Sequence, residues 1–303
     1  MLVKTFGSAF FGISATTITV EVNLGQGINF ILVGLPDNAV KESQKRIVAA
    51  FKNAGFNYPR HEITVNMAPA DIRKEGSAYD LTIAMAILAG SGQVSQDKLS
   101  EFIIMGELSL DGSIQPIKGV LPIAIQASRE GFKGLILPAA NAREAAIVKG
   151  LMVYGVDNIS QVVSLLNGES TVLPVVIDIE KEFDVSQRKS DFDFMDVKGQ
   201  ENIKRAMEVA AAGGHNLIMI GPPGAGKTML ARRLPSILPP LTLEEALETT
   251  KIHSVAGKLA KHAALITVRP FRSPHHTISD VIEIDVVVKN NCIIFESIKL
   301  DDI

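Results

Sequence analysis

Gly221-Pro-Pro-Gly-Ala-Gly-Lys227-Thr228 constrains this chain more tightly than any other segment. The apolar run Leu217-Ile-Met-Ile220 leads into it, and the helix-forming Met229-Leu-Ala-Arg-Arg-Leu234 follows. Strand, glycine loop and helix therefore come in the order a phosphate-binding loop requires. Glycines let successive backbone N–H groups turn inward around an anionic oxygen, and the helix N-terminus adds the positive end of its dipole. Gly221, Pro222, Pro223, Gly224, Ala225, Gly226, Lys227 and Thr228 are the expected ATP site, with Lys227 on the β- and γ-phosphates and the Thr228 hydroxyl on Mg²⁺.

A chain of 303 residues has room for two domains, and 47% hydrophobic against 21% charged residues argues for well-buried cores. The net charge of -3 gives no global basic footprint, so a nucleic-acid contact would need a local patch or several subunits combined. The lone Cys292 cannot form an internal disulfide, which fits a reducing compartment. Lys4 is the only charge before a run to Val20 that Gly, Ser and Thr interrupt, a pattern of strand and not of signal peptide. The longest apolar helical stretch, Leu81 to Ala89, is far short of the roughly 20 residues that cross a bilayer. These features predict a cytoplasmic protein without a membrane partner.

From Lys4 to Val33, short β-branched and aromatic segments alternate with glycines, predicting an antiparallel β start. Pro36 to Ala54 changes period: Val40, Ile47, Val48 and Phe51 share a stripe, predicting an amphipathic helix ended by Gly55. Strands at Glu62 to Met67, Phe102 to Glu107 and Gly134 to Leu137 interleave with helices at Leu81 to Ala89, Val120 to Gly131 and Ala142 to Lys149, an α+β pattern. Periodicity fades after Leu166. The expected organisation is a domain over 1–166, a linker over 167–191 and a second domain over 192–303.

Asp196-Val-Lys-Gly-Gln200 precedes a helical Glu201 to Ala212, then Gly213-Gly-His-Asn216 turns into the loop strand, and Arg269-Pro-Phe-Arg-Ser-Pro-His-His-Thr-Ile-Ser279 follows later. These blocks resemble the YifB/ComM family of magnesium-chelatase-like AAA+ ATPases. The resemblance implies a P-loop α/β domain with a parallel sheet, use of ATP and Mg²⁺, a homo-hexameric ring and, for ComM-type members, a helicase that moves branched DNA during natural transformation. A magnesium-chelatase subunit is the nearest rival among ATPases.

Between Thr249 and Ser279 there is no acidic residue, while Lys251, Lys258, Lys261, Arg269, Arg272 and four histidines are present. Such a run suits DNA phosphates, a neighbouring subunit's nucleotide, or an ordinary solvated face. His275 and His276 are adjacent, so their rings diverge on a regular element and they are poor joint ligands for one metal.

The family carries an Asp-Glu pair at the end of its second strand. The matching segment here, Asn290 to Ser297, puts Glu296 at the Mg²⁺ position and Ser297 where the general base belongs, and a serine cannot accept the water's proton at neutral pH. The sequence stops at Ile303, before the positions of the sensors, arginine finger and lid, which reads as a motor truncated at its C-terminus. The expectation is ATP binding without efficient hydrolysis.

Residues 1–166 resemble the Lon peptidase domain. Lon-type enzymes carry a nucleophile in D-G-P-S-A-G and a base in P-I-G-G-L-K. The matching Glu75-Gly-Ser-Ala-Tyr-Asp80 and Pro116-Ile-Lys-Gly-Val-Leu121 place Ala78 and Leu121 at those positions. Ser77 and Lys118 lie close by in sequence, but a one-residue shift on an extended segment turns a side chain to the opposite face. A structural or partner-recruiting domain is expected, the alternatives being a Ser-Lys peptidase and a non-catalytic interaction remnant.

Overall fold

The computed structural model describes residues 1–169, 171–186, 192–259, 263–271 and 294–295. The chain divides into two compact units: Met1–Glu182 with Leu247–Leu265, and Phe183–Ala246 with the residues from Ile266 onward.

In the first unit, β1 (Leu2–Phe11) and β2 (Ser14–Gly25) form an antiparallel hairpin in register from Leu2↔Asn23 to Phe11↔Ser14. The alternation of β2 buries Ile18, Val20 and Val22 completely on one face. β3 (Phe30–Val33) comes next, then α1 (Asn38–Lys41) and α2 (Ser43–Ala54), and β4 (Glu62–Ala68) inserts between β3 and β2. After α3 (Asp80–Gly90) come β5 (Phe102–Ile104) and a small hairpin of β6 (Glu107–Leu108) and β7 (Ile114–Gln115). The chain continues through α4 (Val120–Arg129), β8 (Gly134–Pro138), α5 (Ala142–Ala145), β9 (Met152–Val156) and α6 (Ile159–Asn167).

One seven-stranded sheet runs β3-β4-β2-β1-β5-β8-β9. Its β4-β2-β1 centre is antiparallel, and its other pairings are parallel. On the parallel flank β5 and β8 follow the rule for strands covered on both faces: β8 is Gly-Leu-Ile-Leu-Pro, and both are buried throughout. Beyond Asp80 and Thr82, α3 is apolar on every face because it is buried on every face, from Asp80 to Ala89. No helix among the described residues is long and apolar enough to cross a membrane.

Several elements depart from their expected bounds. The helix expected over Pro36 to Ala54 breaks at Glu42, where the bond Lys45 N–H to Glu42 O replaces the four-residue ladder. The strand expected over Phe102 to Glu107 leaves the sheet at Gly106, whose N–H donates to Ala78 O and whose carbonyl accepts from Leu81 N, tying the sheet to the start of α3. The helix expected from Ala142 to Lys149 stops at Ala145. Gly34 has φ 100, and a Cβ there would lie 2.2 Å from the Met67 carbonyl oxygen, so only glycine fits against β4.

The segment Leu247–Leu265 completes the first unit through one buried carboxylate. Glu144 accepts from Leu121 N at 2.9 Å and from the Ser254 hydroxyl, while Gly119 N donates to Ser254 O at 3.0 Å. Burial pushes the Glu144 carboxyl above its ordinary value of 4.5, against the lowering effect of these hydrogen bonds. With the folded value raised, the protonated form stabilises the fold below pH 4.5, and that contribution is lost as pH rises through the folded value. Glu144→Gln, neutral at every pH, is expected to be at least as stable as the wild type at neutral pH and to lose that advantage on acidification. Glu144→Ala strands the buried donors and should cost about 1–3 kcal/mol. Urea denaturation of both variants across pH checks the pair.

The second unit holds α8 (Glu201–Gly213), β10 (Leu217–Ile218), α9 (Lys227–Arg233) and β11 (Ile294–Phe295), and β10 and β11 pair in parallel, Leu217 opposite Ile294. α7 (Ile179–Ser186) and α10 (Leu243–Val255) each begin in one unit and end in the other by sequence. Thr242 and Glu245 exchange hydrogen bonds, Thr242 N to Glu245 Oε2 at 2.9 Å and Glu245 N to Thr242 Oγ1 at 3.2 Å, a capping box that starts α10.

Candidate nucleotide site

α9 is anchored from below. Leu230 and Leu234 pack with Phe194, Val197, Met207 and Ala211 in the core of the second unit, with Leu217 and Met219 of the loop strand against them. Loop and helix are thus fixed to the strand by apolar side chains, while Gly221 to Gly224 face solvent. Gly224 and Gly226 stand at φ 81 and 82, in the left-handed region, and nothing lies within 4 Å of a Cβ built on Gly224. The requirement for glycine at 224 is conformational, not steric, as expected of a loop that turns its amides towards a ligand.

Lys227 is the first residue of α9, and its Nζ donates to Gly221 O at 2.8 Å and Pro222 O at 3.0 Å. Both partners are neutral carbonyls, so no carboxylate among the described residues cancels the ammonium charge. Thr228 follows on the exposed face of the helix. This donor set, an uncompensated ammonium, a hydroxyl and glycine-turned amides, fits a nucleoside triphosphate with its Mg²⁺.

Gln200, which closes the Asp196–Gln200 block, has no expected role at the site from sequence. It stands at φ 54 at the start of α8, and its Nε2 reaches the Ala225 carbonyl of the loop at 3.5 Å. Gly199-Gln200, a glycine and an amide ahead of a helix, is the only signal that pointed there. Arg233 closes the far end of α9: Nε donates to Asp193 O at 3.1 Å, and the guanidinium stacks 5.4 Å from the Phe192 ring centroid.

The basic run is divided between the units. Lys251 and Lys258 group with the first, while Arg269 belongs to the second and is held by Glu245 at 3.2 Å and by Pro239 O at 2.9 Å. The Thr242 N–H and Arg269 together hold the Glu245 carboxyl below its usual range. Glu296, Ser297, Cys292, His275, His276, Lys261 and Arg272 lie outside the described residues.

At the peptidase-like positions, Ala78 packs partly buried against the core and Leu121 is fully buried in α4. The Ser77 hydroxyl donates to the Glu107 carboxylate, and the exposed Lys118 lays its stem against Gly257. The two side chains have different neighbours, and no serine-lysine hydrogen bond joins them.

Residues 20–141 match the family described as subunit ChlI of Mg-chelatase, and residues 193–285 match magnesium chelatase, subunit ChlI. Fold, loop and these two matches define a magnesium-chelatase-like protein. The chain is 44% identical over 281 residues to competence protein ComM of Haemophilus influenzae, covering 92% of this chain and 54% of that protein. It is 42% identical over 272 residues to YifB of Escherichia coli, covering 89% and 52%. The chain belongs to the YifB/ComM family. A more distant likeness, 27% over 185 residues, links 56% of the chain to 22% of Lon protease 1 of Herpetosiphon aurantiacus. The chain spans about half the length of the curated relatives it matches.

Proposed function

We propose that the chain binds ATP with Mg²⁺ at Gly221–Thr228 and turns it over slowly. The observation that carries this reading is the loop itself, left-handed at Gly224 and Gly226 and closed on a lysine whose partners are two neutral carbonyls. On binding, the Lys227 ammonium exchanges those carbonyls for phosphate oxygens, the loop amides hold further oxygens, and the Thr228 hydroxyl is a ligand for Mg²⁺. The metal supplies charge neutralisation of the phosphates. The parallel pairing of β11, Ile294–Phe295, with β10 supports a second strand at the site, and by the family resemblance Glu296, outside the described residues, would take the Mg²⁺ position. Ser297 at the general-base position is the reason for slow turnover.

Membership of the YifB/ComM family supports the wider reading of the whole protein as a ring ATPase that moves branched DNA. Phosphate release by the purified chain, followed beside fluorescent-nucleotide binding, tests the central claim. Saturable Mg²⁺-dependent binding with turnover near background is expected. Rapid turnover that disappears in Lys227→Ala would overturn the claim of slow hydrolysis, and absence of binding would overturn the site.

A further inference from the structure

We infer that the outer edge of β3, with the cleft at its C-terminal end, docks the carboxyl end of an extended peptide. β3 is a terminal strand of the seven-stranded sheet, and no other strand among the described residues pairs with its outer side. Its outward N–H and C=O groups are therefore available to a strand added from outside. Ile31 and Val33, on alternate positions, are 41% and 43% exposed, and Leu35 just beyond the strand is 57% exposed.

The end of the strand is built, not loose. Gly34 and Leu35 stand at φ 100 and 54, and a left-handed, exposed leucine runs against both conformational and solvation preference. The turn is clamped by Lys74, whose N–H donates to Leu35 O at 3.2 Å and whose carbonyl accepts from Asp37 N at 3.0 Å. The Lys74 side chain is fully buried with its ammonium on the Pro69 carbonyl. Beside this frame opens a cleft of about 320 Å³ lined by Leu35, Pro36, Asp37, Asn38, Lys41 and Arg73.

Charge selects the occupant. Asp37 has both oxygens engaged, by Val40 N at 2.8 Å and Gly76 N at 3.0 Å. Lys41 has no carboxylate partner among the described residues, and Arg73 shares only a solvent-exposed pair with Glu75 at 3.2 Å, which contributes little. The cleft thus offers two cations and one carboxylate already held by backbone amides, a net positive lining beside an apolar wall. A peptide fits better than a nucleic acid: the neighbouring surface is a backbone edge, the lining has no aromatic ring for bases to stack on, and two cations are few for a phosphate backbone. Charge also sets direction. A strand running parallel to β3 brings its carboxylate to Lys41 and Arg73, whereas the opposite direction would bring an ammonium.

The test uses the full chain and fluorescence anisotropy with three labelled probes: an alternating apolar-polar hexapeptide with a free C-terminal carboxylate, the same peptide amidated, and a single-stranded oligonucleotide. The acid peptide should bind, with affinity weakened roughly tenfold or more by amidation, by the double variant Lys41→Glu with Arg73→Glu, and by Ile31→Lys. Lys41 and Arg73 are exposed, so thermal melting of the double variant should match the wild type. Equal binding of acid and amide, no binding of the acid peptide, or oligonucleotide binding that the double variant abolishes while the peptide fails to compete would each overturn the proposal.

Discussion

Lys227→Ala should lower the affinity of the chain for Mg²⁺-ATP by more than a hundredfold while leaving its melting temperature unchanged. In the free loop the ammonium bridges the Gly221 and Pro222 carbonyls at 2.8 and 3.0 Å on the solvent side, so its loss removes no buried contact of the fold. In the bound state it would face phosphate oxygens, where a charge-assisted hydrogen bond plus the uncompensated charge is worth roughly 3 kcal/mol. Lys227→Arg keeps the charge but not the compact ammonium, and should recover part of the affinity. Isothermal titration with ATP in the presence and absence of Mg²⁺ gives the readout. Wild-type affinity in the alanine variant would mean that the loop holds no triphosphate.

The second large effect concerns stability. Arg46→Leu should destabilise the protein by about 3–5 kcal/mol at neutral pH, because it leaves the Asp80 carboxylate buried without its counter-charge. Arg46 grips that carboxylate through Nε at 2.5 Å and Nη2 at 2.9 Å, and a third bond comes from Leu108 N at 3.2 Å. The Asp80 side chain is 1% exposed, at the first turn of the buried helix α3. Burial already pushes the Asp80 carboxyl above its ordinary 3.8, with the Arg46 hydrogen bond the largest effect opposing it. Removing Arg46 raises it further. The deficit of the variant is then greatest at neutral pH and shrinks as the pH falls through the raised value; below 3.8, where Asp80 is protonated in folded and unfolded chains alike, only the part from the lost Arg46 Nη2 to Ala39 O bond at 2.8 Å remains. Denaturant titrations of wild type and variant across pH measure this. A deficit independent of pH would mean that Arg46 matters for packing alone.

Local signals in the sequence were enough where one residue type decides the outcome. Gly55 ends α2 in the left-handed conformation at φ 83, as the stripe ending at Phe51 implied, and β4 and α3 lie within a residue or two of their expected ends. Tertiary competition decided the rest. β9 carries a glycine at 155 that breaks its alternation, and the register of β8, not its own pattern, makes it a strand. β3 was read with the antiparallel start, yet it pairs parallel with β4, which lies across α1 and α2 in sequence. No local spacing encodes that choice. Likewise the glycine loop was legible because Gly224 and Gly226 hold the left-handed φ that favours glycine, whereas Gln200 reaches the loop from another element with only Gly199 before it as a cue.

The discontinuity of the first unit has a consequence for biosynthesis. Glu144 receives the Ser254 hydroxyl only after the chain has been made past that residue, and the phosphate loop lies between the two in sequence. A nascent chain released as far as Leu166 therefore has its sheet strands but not the segment that caps its buried carboxylate. The N-terminal unit reaches its final state only once the nucleotide loop has left the ribosome, so its completion waits on the synthesis of part of the second unit.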